Sequence, residues 1–243
     1  MSVRFALLVL VAACARAPGG HVPVDDAAVA AAPESASVPD APAPPAPIRV
    51  DGVTVSGDAE AYVLRGVRKR EHPMIFLGGM CVHPQGYVQS FAYSAVDHGV
   101  AIGLQGDVPC AGEPGMTRWS YDVERTNRRI DAAFAAAGEP PPKDAIAIGL
   151  SQGADLAERL AARWPEKYSR VILIASPVEP KPRAVKAVLM AGDGDISKER
   201  MRTTAAKLGK SATFISLGHA YHGQLGPTPN AVMGRALDFV TNP

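Results

Sequence analysis

The chain has 243 residues, 47% of them hydrophobic and 20% charged, with 25 Lys and Arg against 24 Asp and Glu for a formal charge of +1. A near-neutral balance without a basic stripe excludes binding of nucleic acid by charge. The hydrophobic content excludes a chain that is disordered throughout.

The N-terminus reads as processing signal rather than fold. Arg4 supplies a positive charge, and Phe5 to Val11 is an apolar run too short to span a bilayer as a helix. It leads into Val11-Ala12-Ala13-Cys14. Small residues before a cysteine, after a short apolar run, resemble a bacterial lipoprotein signal with its lipobox. On that resemblance residues 1–14 are the signal, Cys14 carries the lipid, and Ala15 in place of Asp directs the protein to the outer membrane. A secretory signal cut nearby, with Cys14 incidental, is the alternative. Residues 15–47 are a linker of Ala and Pro with scattered acids and almost no large apolar side chains. Such a composition buries no core and stays extended.

Residues 48–243 form one domain of alternating strand-like and helix-like runs. The first strand is Ala61 to Leu64. Arg65, Arg68, Lys69 and Arg70 follow it in what reads as a solvated hairpin turn. The next strand, Met74 to Leu77, ends in Gly78-Gly79. Pro84 to Val96 reads as one helix, and Val100 to Leu104 as a strand. A loop spans Val108 to Tyr121. Asp122 caps a helix that places Val123, Ile130, Phe134 and Ala137 on one face and stops at Gly138. Ala145 to Leu150 is a buried strand, followed by a helix with Leu156, Leu160 and Trp164 at helical spacing and Pro165 as its stop. Strands Val171 to Ala175 and Val185 to Ala191 come next. The chain closes with a helix from Lys198 to Leu208, a strand from Thr213 to Leu217 and a final helix opened by Thr228-Pro229. Wholly apolar strands separated by amphipathic helices predict an α/β fold, a mostly parallel sheet with helices on both faces. Functional residues then gather beyond the carboxyl ends of the strands.

Between the strand ending at Leu150 and its helix stands Gly149-Leu150-Ser151-Gln152-Gly153, a G-x-S-x-G turn. A nucleophile raised above a strand end needs a tight turn, and glycines remove the Cβ atoms that would clash there. The N–H groups opening the next helix favour negative charge near Ser151. Cys81 and Cys110 form an even pair in a chain read as leaving the cytoplasm, which predicts a disulfide, with two buried thiols as the alternative. His83, Asp107 and Cys110 match no standard zinc spacing. The loop from Val108 to Tyr121 is expected to form one pocket wall, with Trp119 left between stacking on a substrate and covering the sheet.

The serine turn in its strand–turn–helix setting, with an acid after a later strand and a histidine after the last, resembles the α/β-hydrolase family over residues 60 to 243. The resemblance implies Ser151 as nucleophile, then an acid, then a histidine in chain order. Asp195 fits the acid, with Asp193 and then Glu179 as alternatives. Two histidines follow the last strand. In the family's order that strand lies three positions from the serine strand, a lateral gap of about 14 Å. His219 has at most about 7 Å of chain to cross it, whereas His222 has a longer loop, so His222 is the base. The oxyanion donors implied are the N–H groups of Gln152 and, in the loop after Leu77, Met80; Gly78 stands where relatives often carry His. No metal or organic cofactor is implied. Only Ser176 to Ala184 intervenes where family lipases often insert a helical cap, so no lid domain is expected. The expected activity is hydrolysis of a carboxylic ester, either a small molecule or a substituent on a polymer, at the cell envelope through a lipid anchor at Cys14. A peptidase or acyltransferase on the same residues, and a non-catalytic binding lipoprotein, are the alternatives.

Overall fold

Strands that are apolar on both faces must be covered on both, and the sheet shows this residue by residue. A computed structural model describes residues 47–66, 72–180 and 186–242. The signal segment, Cys14 and almost all of the linker lie outside the described residues.

The elements, in order, are β1 (Val50–Val53), β2 (Ala61–Leu64), β3 (Met74–Leu77), α1 (Pro84–Ser90), α2 (Ala92–Ala95) and β4 (Ala101–Leu104). A short pair, β5 (Val108–Pro109) and β6 (Thr117–Arg118), precedes α3 (Val123–Ala136). Then come β7 (Ile146–Leu150), α4 (Gln152–Arg163), β8 (Arg170–Ile174), β9 (Lys186–Ala191), α5 (Lys198–Leu208), β10 (Ala212–Ser216) and α6 (Pro229–Thr241). Eight strands form one sheet in the order β1-β2-β4-β3-β7-β8-β9-β10. β1 and β2, and β2 and β4, pair antiparallel; every later pair in that sheet is parallel.

Alternation along each strand divides the interior into two cores. Ile75, Leu77, Ala147, Val171 and Leu173 face one, with α3, α4 and α5 supplying Phe134, Leu160 and Met201. Met74, Phe76, Ile146, Ile148, Ile172 and Ile174 face the other, with Val88, Phe91, Met233 and Leu237. Among the described residues no helix is long and apolar enough to cross a membrane.

Three expectations need correction. β2 and β3 are not the arms of a hairpin, because β4 lies between them in the sheet. A local turn signal reports that the chain reverses or leaves, and the choice of neighbour belongs to the sheet. Arg65 after β2 reaches across to the Ala137 carbonyl at 3.1 Å; Arg68, Lys69 and Arg70 lie outside the described residues. The helix from Pro84 to Val96 is two helices that break at Phe91, whose backbone turns to φ −116° and ψ 16° while its ring is fully buried. β1 went unread: Val50-Asp51-Gly52-Val53 carries Asp and Gly, which disfavour strands, and two of its four residues are exposed. From β8 toward β9, residues 176–180 contain no helix, and residues 181–185 lie outside the described residues.

Candidate active site

The turn after β7 is built by close backbone approach. A methyl placed on Gly149 would stand 2.4 Å from the Gly153 carbonyl oxygen, and one on Gly153 would stand 2.1 Å from that of Leu77. Both distances are far inside contact, so only glycine lets α4 begin this near β7 and β3. Ser151 takes φ 51° and ψ −115°, a conformation side-chain-bearing residues rarely hold. Its own N–H donates to the Ile174 carbonyl at 2.8 Å, tying the turn to β8.

Ser151 Oγ lies 2.9 Å from His222 Nε2, and His222 Nδ1 lies 3.1 Å from Asp195 Oδ2. The structure therefore brings together residues from loops after β7, β9 and β10; Asp195 and His222 stand 44 and 71 positions after Ser151, beyond the reach of any local pattern. Asp195 is 5% exposed. Its second oxygen accepts from the Ser197 N–H at 2.8 Å and the Ser197 hydroxyl at 2.7 Å, which fixes the carboxylate plane. His222 is open to solvent, with 53% of its side chain exposed.

The other candidates are engaged elsewhere. Asp193 pairs with Lys198 at 2.8 Å and with the exposed His219 at 3.4 Å. The Lys198 hydrogen bond comes first among the causes that hold the Asp193 carboxyl below its usual range. Glu179 is exposed on the loop after β8. His83 Nε2 lies 2.9 Å from the Tyr62 hydroxyl, and Asp107 accepts from Ser120.

Topology and the constellation of residues decide the architecture together. The fold is that of the α/β hydrolases. At the level of sequence, no family model and no curated protein matches the chain. Solved structures do resemble it. A carboxylesterase from Bacillus subtilis is 14% identical, with a TM-score of 0.58 over 81% of this chain and 93% of that one. A fluorophosphonate-binding serine hydrolase from Staphylococcus aureus, in a substrate-bound structure, is 11% identical, with a TM-score of 0.57 over 81% of this chain and 100% of that one. A CIB-like hydrolase, so predicted, from Thermoplasma acidophilum is 12% identical, with a TM-score of 0.58 over 79% of this chain and 97% of that one.

In this α/β-hydrolase frame, the loop after β3 runs against the serine turn: a methyl on Gly79 would meet Ser151 Cβ at 3.4 Å. Met80 is 60% exposed and lines a cavity of about 300 Å³ with Ser151, Gln152 and His222. It is therefore a wall of the site and not a core filler. Gln152 opens α4, so its N–H belongs to the first turn, which has no intrahelical acceptor. Cys81 and Cys110 are joined as a disulfide. Trp119 is 2% exposed and packs in the core, so it covers the sheet and does not stack on substrate.

Tyr121, at the end of the loop expected to form a wall, does line this cavity, whereas four further wall residues escaped the sequence reading: Asp155, Ala175, Ser176 and Pro177. Ser176 donates to Asp155 at 2.8 Å. Burial, aided by the Asp155 charge, raises the Tyr121 phenol above its ordinary value. Asp155 had a readable signal, since four residues after Ser151 on a helix lies one turn away on the same face. A larger groove of about 720 Å³ adjoins the histidine loop along α1, with Tyr87, Leu225, Pro227 and Pro229 in its lining. It holds none of Ser151, His222 or Asp195, so size alone does not mark the chemistry.

Proposed function

We propose that this protein is a serine hydrolase that cleaves a carboxylic ester through an acyl-enzyme. The observation that carries the reading is the relay from Ser151 Oγ to His222 Nε2 at 2.9 Å and from His222 Nδ1 to Asp195 at 3.1 Å. A serine hydroxyl is a poor nucleophile without a base, and the base needs an orienting acid.

Ser151 Oγ adds to the ester carbonyl carbon as His222 Nε2 takes its proton. The carbonyl electron pair moves to oxygen, which accepts hydrogen bonds from the Met80 and Gln152 N–H groups. Asp195 accepts from Nδ1–H and stabilises the imidazolium. The intermediate collapses, the alcohol leaves with the proton from His222, and Ser151 is acylated. Water then repeats the sequence and releases the acid.

The ester class is supported by a small cavity bordered by Ser176 and Pro177 in a stretch, residues 176–180, that is not helical, and by the carboxylesterase activity named for the Bacillus subtilis neighbour. Substrates are small esters or ester substituents on a polymer. The lipid anchor at Cys14 and placement in the cell envelope are part of the same proposal and rest on the sequence of residues 1–14.

A fluorophosphonate probe is expected to label the wild type and not Ser151→Ala, and a panel of esters of graded acyl length to give turnover in the wild type alone. Labelling without hydrolysis of any ester, alongside cleavage of peptides, would replace the esterase by a peptidase. Retention of metabolic palmitate label by Cys14→Ala would remove the anchor.

A further inference from the structure

The residues proposed as oxyanion donors come from two different strand ends, Met80 after β3 and Gln152 after β7. A third segment, the excursion from Gly106 to Tyr121, touches both. We infer that this excursion is a clasp that positions the two donors, with Trp119 as its shared post; the inference rests on the serine-hydrolase reading.

The ties to the Met80 side bracket the donor. The Trp119 indole N–H donates to the Gly78 carbonyl at 2.8 Å, which fixes the peptide between residues 78 and 79. The Cys81 N–H donates to the Thr117 carbonyl at 2.8 Å, which fixes the peptide between residues 80 and 81. Peptides are planar, so the intervening peptide, which bears the Met80 N–H, is held from both ends. The Cys81–Cys110 disulfide adds a covalent tie at the same point. Cys81 itself sits at φ 57°, and a side-chain-bearing residue stays there only where its surroundings over-determine it.

The tie to the Gln152 side is two-pronged. The Trp119 N–H donates to Gln152 Oε1 at 3.0 Å, and Gln152 Nε2 donates to the Trp119 carbonyl at 3.1 Å. One tryptophan thus spends its indole N–H on one donor loop and both main-chain groups on the residue that supplies the other donor. The clasp has its own footing. The Asp107 carboxylate accepts from the Ser120 N–H and hydroxyl, Val108 pairs with Arg118 across β5 and β6, and the Arg129 guanidinium lies 5.7 Å from the centre of the Trp119 ring.

Trp119 and the Gln152 side chain are therefore positioning residues. Oxyanion donors act by being fixed before charge develops, so loosening them lowers kcat and leaves KM in place. Trp119→Phe keeps an aromatic ring in the core and removes the indole N–H together with part of the ring volume. Gln152→Met keeps side-chain length and removes both amide hydrogen bonds, and it serves if the tryptophan variant fails to fold. Each is assayed with p-nitrophenyl acetate and with a boronic acid that forms a tetrahedral adduct on Ser151. The expected result is a fall in kcat of about 10- to 100-fold, KM within about threefold, and a matching loss of boronate affinity. In the double variant the losses are expected to be less than additive, since both substitutions open the same clasp. Wild-type kcat in folded Trp119→Phe and Gln152→Met, or a lowered melting temperature with kcat and boronate affinity unchanged, would overturn the clasp alone. A wild type that hydrolyses no ester and takes no fluorophosphonate would bring down the reading on which it rests.

Discussion

On one flank of Ser151, His222 hangs from an exposed loop; on the other, the Gly78–Cys81 loop is fastened by a disulfide and a buried indole. The histidine flank has no covalent tie and is held by hydrogen bonds, among them Asp193 N–H to the Gly218 carbonyl at 2.7 Å, Gly194 N–H to that of Ala220 at 3.0 Å and Tyr221 N–H to Gln224 Oε1 at 2.9 Å. The Tyr87 hydroxyl adds one more, donating to the Gly223 carbonyl at 2.7 Å. The difference follows from what each flank does in the proposed reaction. A base must meet a hydroxyl, a leaving group and water in turn, so it stays accessible. An oxyanion site works through donors that do not reorganise, so it is tied down.

The largest expected effect removes the residue on which both flanks converge. Ser151→Ala is expected to lower kcat by roughly a million-fold while the fold persists, measured as steady-state hydrolysis beside circular dichroism. Wild-type turnover in that variant would dissolve the comparison altogether.

Next come two paired substitutions on the histidine flank. Asp195→Asn is expected to cost about 10⁴-fold in kcat, since it leaves His222 with the wrong partner. Asp193→Asn, whose carboxyl faces Lys198 and His219, is expected to stay within a few-fold. Single-turnover acylation with an activated ester ranks His222→Ala and His219→Ala in the same way, a large loss against a modest one. A reversed order in either pair moves the relay by two or three residues and with it the description of that flank.

On the clasped flank, the disulfide closes a loop with a sequence separation of 29 residues and is expected to stabilise the domain by about 3–4 kcal/mol in the chain-entropy account. Urea unfolding of the Cys81→Ser/Cys110→Ser protein measures this. Mass spectrometry of the native protein from an oxidising compartment is expected to find the two cysteine peptides linked.

The smallest effect concerns the footing of the clasp. Burial opposes the Asp107 charge, but hydrogen bonds from Ser120 and the nearby Arg125 outweigh it and hold its carboxyl below the usual range. A group lowered in the folded state contributes stability above its unfolded value, about 3.9, and loses it as pH falls through the folded value. Asp107→Asn is therefore expected to shift thermal stability near neutral pH slightly and to flatten its decline in acid. An unchanged acid limb would detach Asp107 from the clasp.

Much of this molecule was legible in one dimension, and the limits are instructive. The strands from Met74 to Leu77 and from Ile146 to Leu150 declared themselves because both faces are buried, so no polar residue interrupts the run. β1 did not, because an edge strand with two of four residues exposed carries half the signal. The serine turn was readable since its two glycines stand at a fixed spacing about the serine, although the clash Gly153 avoids is with the Leu77 carbonyl on β3. Ala175, Ser176 and Pro177 had no local mark, for they become cavity walls only when separate loops meet.

The sequence by itself determined the alternation of strand and helix, the turn at Ser151, and how far each histidine after the last strand can reach; the three strand spacings to be crossed came from the family resemblance. The first three follow from periodicity, sterics and chain reach, which act along the backbone. Only the tertiary structure decided that β4 enters between β2 and β3, that Asp193 turns to Lys198 while Asp195 turns to His222, and that Trp119 ties Gly78 to Gln152. Each of these is a choice among partners distant in sequence, set by which groups the closed sheet brings within hydrogen-bond reach.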